Sequence, residues 1–336
     1  MKNKLQGVFT VSVIVVLILS LIYIDEVKDG ITKAIENCIT GIVPSLFLNS
    51  VLSGVLIKCS TNMKPKRISS SDYGILLAFL LGNICGYPIG AKILSDLVKE
   101  NNITHEQAEK AICFSFASGP AYVLGIVSTV LFHAKLLGFT TFVSIFLSNM
   151  VLYIAYIFRC RKSDCTNSAC KAVCFTEAVM ESISSSANSM ISICSAIVFF
   201  SAMIAILKVI VPSVNAKISA ILEISNITSL QGNGLLFFVL VTLLLSFGGL
   251  CVHMQIICLA GGSFSFRWFY LTRPIQLLLT ALFSSLGYLI VSDHISIETS
   301  LNSDNIELTS AGNIIPFICI CGMVLIALTY KKSDRT

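Results

Sequence analysis

The first residues that could carry chemistry lie in the stretch GNICGYPIGAK, residues 82–92, directly after the apolar run GILLAFLL. Glycine permits backbone conformations that are closed to other residues and proline lacks an N–H donor, so this stretch predicts a break in a helix. A break inside a membrane leaves amides, carbonyls and helix-end partial charges available to a polar or ionic group. The alternative is a packing kink, with the Lys92 ammonium extended to the membrane surface. The candidate substrate-binding residues are Asn83, Gly86, Tyr87, Pro88, Gly90 and Lys92.

A second break is predicted where Ser-Gly-Pro interrupts the apolar segment AICFSFASGPAYVLGIVSTVLF. A single proline in a transmembrane helix is common, so an ordinary kink is the alternative here. The candidate binding residues of this break are Ser118, Gly119 and Pro120.

A third group lies in the stretch SFGGLCVHMQ, residues 246–255, in the second half of the chain. Ionisable groups inside a membrane are rare and mark function by default, so His253 is a candidate for proton coupling. A buried histidine that only bonds a neighbouring carbonyl is the alternative. The candidate residues are Ser246, Gly248, Gly249, His253 and Gln255.

For two other ionisable residues, Glu223 and Arg273, we predict a structural role rather than a binding role. We expect Glu223 to lie at the membrane interface and Arg273 to act as a charge anchor before Pro274.

No residue pattern supports enzymatic or metal chemistry. Cys160, Cys165, Cys170 and Cys174 lack the short C-x-x-C knuckle that zinc and iron–sulfur sites use. The nucleotide-binding, hydrolase and metalloprotease motifs are also absent from the sequence. We therefore predict no catalytic residues, no metal and no cofactor.

The composition indicates which kind of secondary structure positions these residues. Of the 336 residues, 55% are hydrophobic and only 12% are charged, with a mean hydropathy of +0.86. Such a chain cannot hide its apolar residues in one soluble core, so we predict an all-α polytopic protein of the cell membrane, with the lipid bilayer as its partner. The net charge of +5 is interpreted as membrane topology rather than nucleic-acid binding.

The order of elements predicts four regions. Residues 1–25 form a retained N-terminal transmembrane helix, residues 26–160 and 174–331 two repeats, and residues 161–173 a cytoplasmic linker. Within the first repeat, residues 25–40 have the spacing of an amphipathic helix at the interface, and Thr104 with Gln107 predicts a capping box.

Each repeat reads as a simple span, a glycine-broken re-entrant hairpin, a proline-containing span and another simple span. Two halves with odd numbers of crossings face opposite ways in the membrane. This is the inverted-repeat plan of secondary transporters, whose sites lie near the midplane where helices break.

Lysine and arginine clusters favour a cytoplasmic N-terminus, because they lie in loops 58–73, 92–110 and 159–171. The second half leaves two alternatives open. A re-entrant segment 234–262 puts the C-terminus outside, against the charge rule, whereas a single crossing there satisfies that rule.

The motifs GYPIGAK and SGPAYVLG, followed by LEISN and SFGGLCVHMQ, resemble the sporulation integral membrane protein YlbJ family. That family belongs with proteins carrying the nucleoside recognition (Gate) domain. The resemblance covers roughly residues 30–330 and implies a transporter-like core linked to spore formation. Family members tend to have asparagines where this chain has Ala117 and Ser118, which weakens any inference about the substrate. The matching residues are Gly86, Tyr87, Pro88, Gly90, Ala91, Lys92, Gly119, Pro120, Gly248, Gly249 and Gln255.

We therefore predict a secondary transporter, required for sporulation, that moves a small polar, nucleoside-like or anionic solute with a proton or sodium as coupling ion. Association into a homo-oligomer is a further expectation. The alternative function is a non-transporting scaffold of a sporulation membrane complex, in which small-residue segments such as ESISSSANS pack against partners.

Overall fold

The computed structural model describes residues 2–60, 70–160, 174–211 and 214–301. Every regular element in these residues is helical, which confirms the predicted all-α class. Two segments are π-helical, Cys38–Ile42 and Val123–Leu131, and Ile224–Ser229 is a 3₁₀ helix. The α-helices are α1 (Lys2–Ile22), α2 (Ile24–Asn37), α3 (Val43–Ser60), α4 (Ser70–Ile84), α5 (Ile89–Lys99), α6 (His105–Ala111), α7 (Pro120–Tyr122), α8 (Lys135–Cys160), α9 (Phe175–Ile210), α10 (Ala216–Leu222), α11 (Gly234–Phe247), α12 (Gly249–Ala260) and α13 (Arg267–Leu301).

Five of the described helical runs are long and apolar enough to cross a membrane. Two of them are 36 residues long, so they exceed the roughly 20 residues that a perpendicular crossing needs. The runs are Ile24–Cys59, Lys135–Arg159, Phe175–Ile210, Gly234–Ala260 and Arg267–Ser292.

The first of these runs joins α2, the π-helical turn and α3 into one continuous helix. We expected residues 25–40 to form a separate helix at the interface, and the structure differs because α2 has a helical neighbour along its length. A Cβ atom placed on Gly30 would lie 3.1 Å from the Cβ of Ala205 on α9. At the other end, the Ser50 hydroxyl donates to the Ser186 hydroxyl at 3.0 Å. Small residues let the two antiparallel backbones approach closely.

Helices α4 and α5 form an antiparallel helical hairpin. Gly74 near the start of α4 lies against Leu97 near the end of α5, 3.4 Å from an added Cβ to the leucine methyls. Near the tip, a Cβ on Gly82 would lie 2.6 Å from the Ser115 carbonyl oxygen, and a Cβ on Gly90 would overlap the same atom. Glycine is therefore required at both positions because the chain after α6 passes across the hairpin.

The chain after the hairpin begins with the short helix α6, and the predicted capping box at its start is confirmed. The Thr104 hydroxyl accepts from the Gln107 N–H at 3.2 Å, and the Gln107 side chain accepts from the Thr104 N–H at 2.8 Å.

Helices α8, α11 and α13 form a second packed group. A Cβ on Gly287 of α13 would lie 2.5 Å from the Thr140 methyl of α8, and the Phe238 ring of α11 contacts the Tyr288 ring of α13 at 5.3 Å between centroids. The Thr280 hydroxyl of α13 donates to the Ser148 hydroxyl of α8 at 3.0 Å. Helix α13 therefore runs antiparallel to both neighbours.

Helices α11 and α12 do not form the hairpin predicted for residues 234–262. They contact each other little beyond their junction, because α11 packs on α13 whereas α12 packs on α5 and α9. One such contact joins the Ser95 hydroxyl of α5 to the Ala260 carbonyl at the end of α12, at 3.2 Å. Together the two helices form a broken run of 27 residues, which favours the single-crossing alternative.

Several predictions fall outside the described residues. They are the linker at 161–173, residues 302–312 of the acidic loop expected at 293–312, and the final span at 314–328, with the end of the second repeat. Residues 293–301 of that expected loop are instead the helical end of α13.

Candidate functional site

The first break in the helical backbone is the tip of the α4–α5 hairpin. Gly86 has φ of +81°, which glycine adopts readily, and the Tyr87–Pro88 peptide is cis. The Tyr87 N–H donates to the Ala117 carbonyl at 2.7 Å. A Cβ on Gly86 would lie 2.7 Å from the Gly119 amide nitrogen. The tip therefore lies directly on the non-helical segment that precedes α7. The breaks predicted at residues 82–92 and at 118–120 thus contact each other.

The other break in the helical backbone is the junction of α11 and α12, where Gly248 and Gly249 have φ of +85° and +75°. A Cβ on Gly249 would lie 3.2 Å from the Ile221 carbonyl oxygen and from the Ile224 N atom, where α10 ends. A Cβ on Gly248 would lie 2.8 Å from the Phe116 ring and 3.5 Å from the Tyr87 ring. The two breaks thus meet through these rings.

A cavity of about 120 Å³ lies beside this meeting point. Three of its polar groups, the Tyr87, Ser118 and Tyr122 hydroxyls, are buried and have no hydrogen-bond partner within the part of the chain that the structure describes. The cavity is lined by Asn37, Gly41, Ile42, Ser45, Leu46, Asn49, Cys85, Tyr87, Ser118, Gly119, Ala121, Tyr122, Ile126, Ile193, Ile197, Glu223, Ile224, Ser225, Val252 and Gln255.

Four of the sequence-predicted site residues line this cavity: Tyr87, Ser118, Gly119 and Gln255. Others shape the breaks instead: Gly86, Gly248 and Gly249 adopt positive φ, Pro88 is the N-cap of α5 and Pro120 begins α7. Gly90 provides the close approach to Ser115.

Lys92 does not line the cavity. Its side chain is 6% exposed, and its ammonium donates to the Ser50 and Ser186 hydroxyls at 3.3 and 3.1 Å. The lysine is buried and does not face the break, because it lies one turn into α5 on the side that packs against α3 and α9.

Asn83 and Ser246 belong to a buried hydrogen-bond network that connects the two halves of the chain. The Asn149 amide donates to the Asn83 side-chain oxygen at 2.8 Å and to the Phe116 carbonyl at 3.0 Å. The Gln276 amide donates to the Ser246 hydroxyl at 2.6 Å and approaches the Asn149 oxygen at 3.4 Å. This network holds the non-helical segment between both breaks.

His253 lies among aromatic rings, with its Nδ1 atom 2.7 Å from the Gly249 carbonyl. Its Nε2 atom has no partner in the described part of the chain, and His253 does not line the cavity. The surrounding rings are those of Phe116, Phe247, Phe269 and Tyr270. This contact matches the alternative of a buried histidine that bonds a carbonyl.

Arg273 is buried rather than anchored at a surface. Its guanidinium donates to the Cys113 carbonyl at 2.6 Å and lies 4.3 Å above the Phe269 ring centroid. The arginine was misjudged because two of its partners, the Cys113 carbonyl and the Phe116 ring, are distant in sequence.

Glu223 is the functional candidate that sequence reasoning missed. It is 3% exposed and lines the cavity, although we expected it at the interface. Its carboxylate accepts from the Ser225 N–H and the Asn226 amide, both at 3.0 Å, and from the Ser225 hydroxyl. The available signal was a carboxylate between apolar residues, with no base closer than Lys217.

A second, more open cavity of about 490 Å³ adjoins the first and shares Asn37, Ile197, Glu223 and Ser225 with it. Its remaining wall consists of α2, the second half of α9 and Asn226. The charged residues there are Glu26, Asp29, Lys33 and Lys208. Glu223 therefore lies in the wall that the two cavities share.

The described residues contain no group of three or more histidine, cysteine, aspartate or glutamate side chains that could hold a metal ion. The cysteine loop at 160–174 lies almost wholly outside that part of the chain.

Comparison with known proteins gives one distant relationship to report. The chain is 27% identical over 131 residues to the sporulation integral membrane protein YlbJ of Bacillus subtilis (strain 168). The match covers 37% of this chain and 32% of that protein, so the chain spans about a third of its relative's length. No family model matches the chain, and no solved structure does. With its apolar helices, this chain is a multi-pass membrane protein distantly similar to a sporulation membrane protein.

Proposed function

We propose that the protein is a secondary transporter of a small polar solute, which binds in the cavity where the two helix breaks meet. The observation that carries this proposal is the cavity itself, whose wall includes the hairpin tip, the segment before α7 and the residues that directly follow α10. Non-helical backbone at membrane depth is tolerated where it is buried in protein or lines a polar cavity. A binding site gives that backbone a role.

The lining supports a polar solute. The Tyr87, Ser118 and Tyr122 hydroxyls are unpartnered in the described structure, and an unmade buried hydrogen bond costs about 1–3 kcal/mol. A solute with hydroxyl or amide groups would recover this energy. Glu223 is in the wall and Lys92 is not, so we narrow the proposed solute to a neutral or cationic one.

We also propose that the two halves form an inverted repeat, but the elements that correspond between the halves differ from those predicted from the sequence. Each half contains a long helix (α2–α3 or α9), a break, a second break in contact with the first, and another long helix (α8 or α13). The α4–α5 hairpin tip contacts Gly119 in the first half, and the end of α10 contacts Gly249 in the second. The repeat bounds 26–160 and 174–331 and a re-entrant α4–α5 hairpin belong to this proposal.

The larger cavity of about 490 Å³ supports a route by which the solute reaches the smaller cavity. It lies between the start of α2 and the end of α9, at the opposite end of this helix pair from the Lys58–Glu181 ion pair. The basic loop 58–73 places the ion-pair end in the cytoplasm. Under that topology the open cavity faces outward.

A role in sporulation is part of the same proposal and is supported by the printed name of the relative. The scaffold alternative needs no water-accessible cavity. Access of an aqueous reagent to the cavity therefore distinguishes the transporter from the scaffold.

The test is accessibility of the cavity from both sides of the membrane. Ser118→Cys, expressed in full-length protein, is treated with a small membrane-impermeant thiol reagent in right-side-out and inside-out vesicles, and mass spectrometry locates the label. We expect Ser118→Cys to be labelled from both sides, because a carrier alternates its access.

Two matched variants calibrate this experiment. Glu106→Cys on the exposed surface of α6 should be labelled from one side, and Leu278→Cys, 72% exposed on the apolar face of α13, from neither. Labelling of Ser118→Cys from one side only, or from neither, would contradict alternating access.

A further inference from the structure

We propose that Glu223 is the cation site of this protein: its carboxylate binds a coupling cation, sodium or a proton, whose unit positive charge neutralises it during transport. This inference rests on the proposed transport function and names the residue at which the coupling ion binds.

The first argument is the charge balance around Glu223. Its side chain is 3% exposed, and no lysine or arginine in residues 2–60, 70–160, 174–211 or 214–301 forms an ion pair with it. An isolated buried carboxylate is unfavourable unless it is paired or bound to a cation. A cation that enters the cavity would provide the missing charge.

The second argument is the orientation of the carboxylate. The Ser225 N–H, the Ser225 hydroxyl and the Asn226 amide all donate to it, and these donors come from the next three residues of the chain. They fix the carboxylate in place and contribute no net charge. The site is therefore preorganised and still negative.

The third argument is independent of Glu223. Ser118, which is 1% exposed, lines the same cavity from the first half of the chain, and its hydroxyl lacks a hydrogen-bond partner in the described residues. Small hard cations prefer oxygen ligands, and unwound backbone in transporters commonly supplies them. The Ser118 hydroxyl is an oxygen atom of this kind.

The charged and titratable groups on the surrounding elements do not cancel Glu223. Lys33 already pairs with Asp29 at 2.7 Å, and Lys208 is exposed at the end of α9. The groups on the packed elements are Glu26, Asp29 and Lys33 of α2, Cys38 of the π-helical turn after α2, Cys194 and Lys208 of α9, Tyr87 of the hairpin tip, Tyr122 of α7, and Cys251 and His253 of α12.

The experiment measures cation binding without any solute. Full-length protein purified in detergent is heated in NaCl or in choline chloride at matched ionic strength and pH 8, and then in choline chloride from pH 8 to pH 5.5. Binding of a cation at ten times its dissociation constant should raise Tm by about 2 °C. A rise with sodium identifies sodium as the ion, and a rise with acid alone identifies the proton.

Glu223→Gln tests the residue, because it keeps the acceptor oxygen and removes the charge. We expect it to lose the response that the wild type shows and to start, without cation, near the Tm of the cation-bound wild type. Glu177→Gln, at an exposed carboxylate on α9, should respond as the wild type does.

Three outcomes would overturn the proposal. They are a wild-type protein with no rise in either series, a Glu223→Gln protein that keeps the rise, and an unchanged cation midpoint in Glu223→Asp if the glutamine variant does not fold. Cation binding and thiol accessibility are measured separately, so either proposal can fail while the other stands.

Discussion

The hairpin tip at Gly86 and the junction at Gly248 are both glycine breaks in apolar helices, but they direct the chain differently. At Gly86 the chain turns back, and α5 packs along α4. At Gly248 the chain continues into α12, which packs on α5 and α9 instead of on α11. Positive φ alone therefore does not determine a turn, because both breaks have it.

The neighbours of each break explain the difference. Gly82 and Gly90 allow the Ser115 carbonyl to lie against the hairpin, so the two arms and the crossing chain pack as one unit. Around Gly248 the close neighbours are the rings of Phe116 and Tyr87, which are side chains. The Gly90 position is therefore held by backbone contacts and the Gly248 position by side chains that can shift, although the next residue, Gly249, again lies against backbone atoms.

The largest effect should follow from Gly90→Ala. The new Cβ would overlap the Ser115 carbonyl oxygen, and a backbone atom cannot move aside without separating the hairpin from the crossing chain. We expect a loss of about 3 kcal/mol or more in the free energy of unfolding, measured by denaturant titration in detergent.

Gly125→Ala is the matched control, since nothing lies within 4 Å of its added Cβ. A Gly90→Ala protein as stable as Gly125→Ala would show that the hairpin is not packed as described.

The positions of both breaks could be predicted from sequence, because glycine and proline limit the backbone locally. The direction of the chain after Gly248 could not, since it depends on the packing of α12 against α5 and α9, which are distant in sequence. The predicted second hairpin failed for this reason.

The candidate site was only partly predictable for a similar reason. Tyr87, Ser118 and Gln255 line the cavity, because they lie at or near the breaks. Lys92 points to another interface, and Glu223, the residue directly after the short helix α10, lines the cavity. Both outcomes depend on which side of a helix faces which neighbour, and single residues in short segments carry no periodic signal for that.

Gly248→Ala should have a smaller effect than Gly90→Ala. Alanine at φ of +85° is strained, which costs about 1–2 kcal/mol, while the Phe116 ring can move away from the new methyl group. We expect a loss of that size in the free energy of unfolding under the same titration. A loss equal to that of Gly90→Ala would remove the distinction between backbone and side-chain support.

The smallest effect on stability should come from Tyr87→Phe. The Tyr87 ring stacks on Phe116 at 5.1 Å and approaches Gly248, so the ring joins the two breaks, whereas its hydroxyl has no partner in the described structure. Phenylalanine keeps the ring, and we expect the free energy of unfolding to change by less than about 0.5 kcal/mol. Tyr87→Ala removes the ring and should cost about 3 kcal/mol, which makes it the paired measurement. If both variants were equally destabilised, the hydroxyl would be a structural group rather than one kept free for a solute.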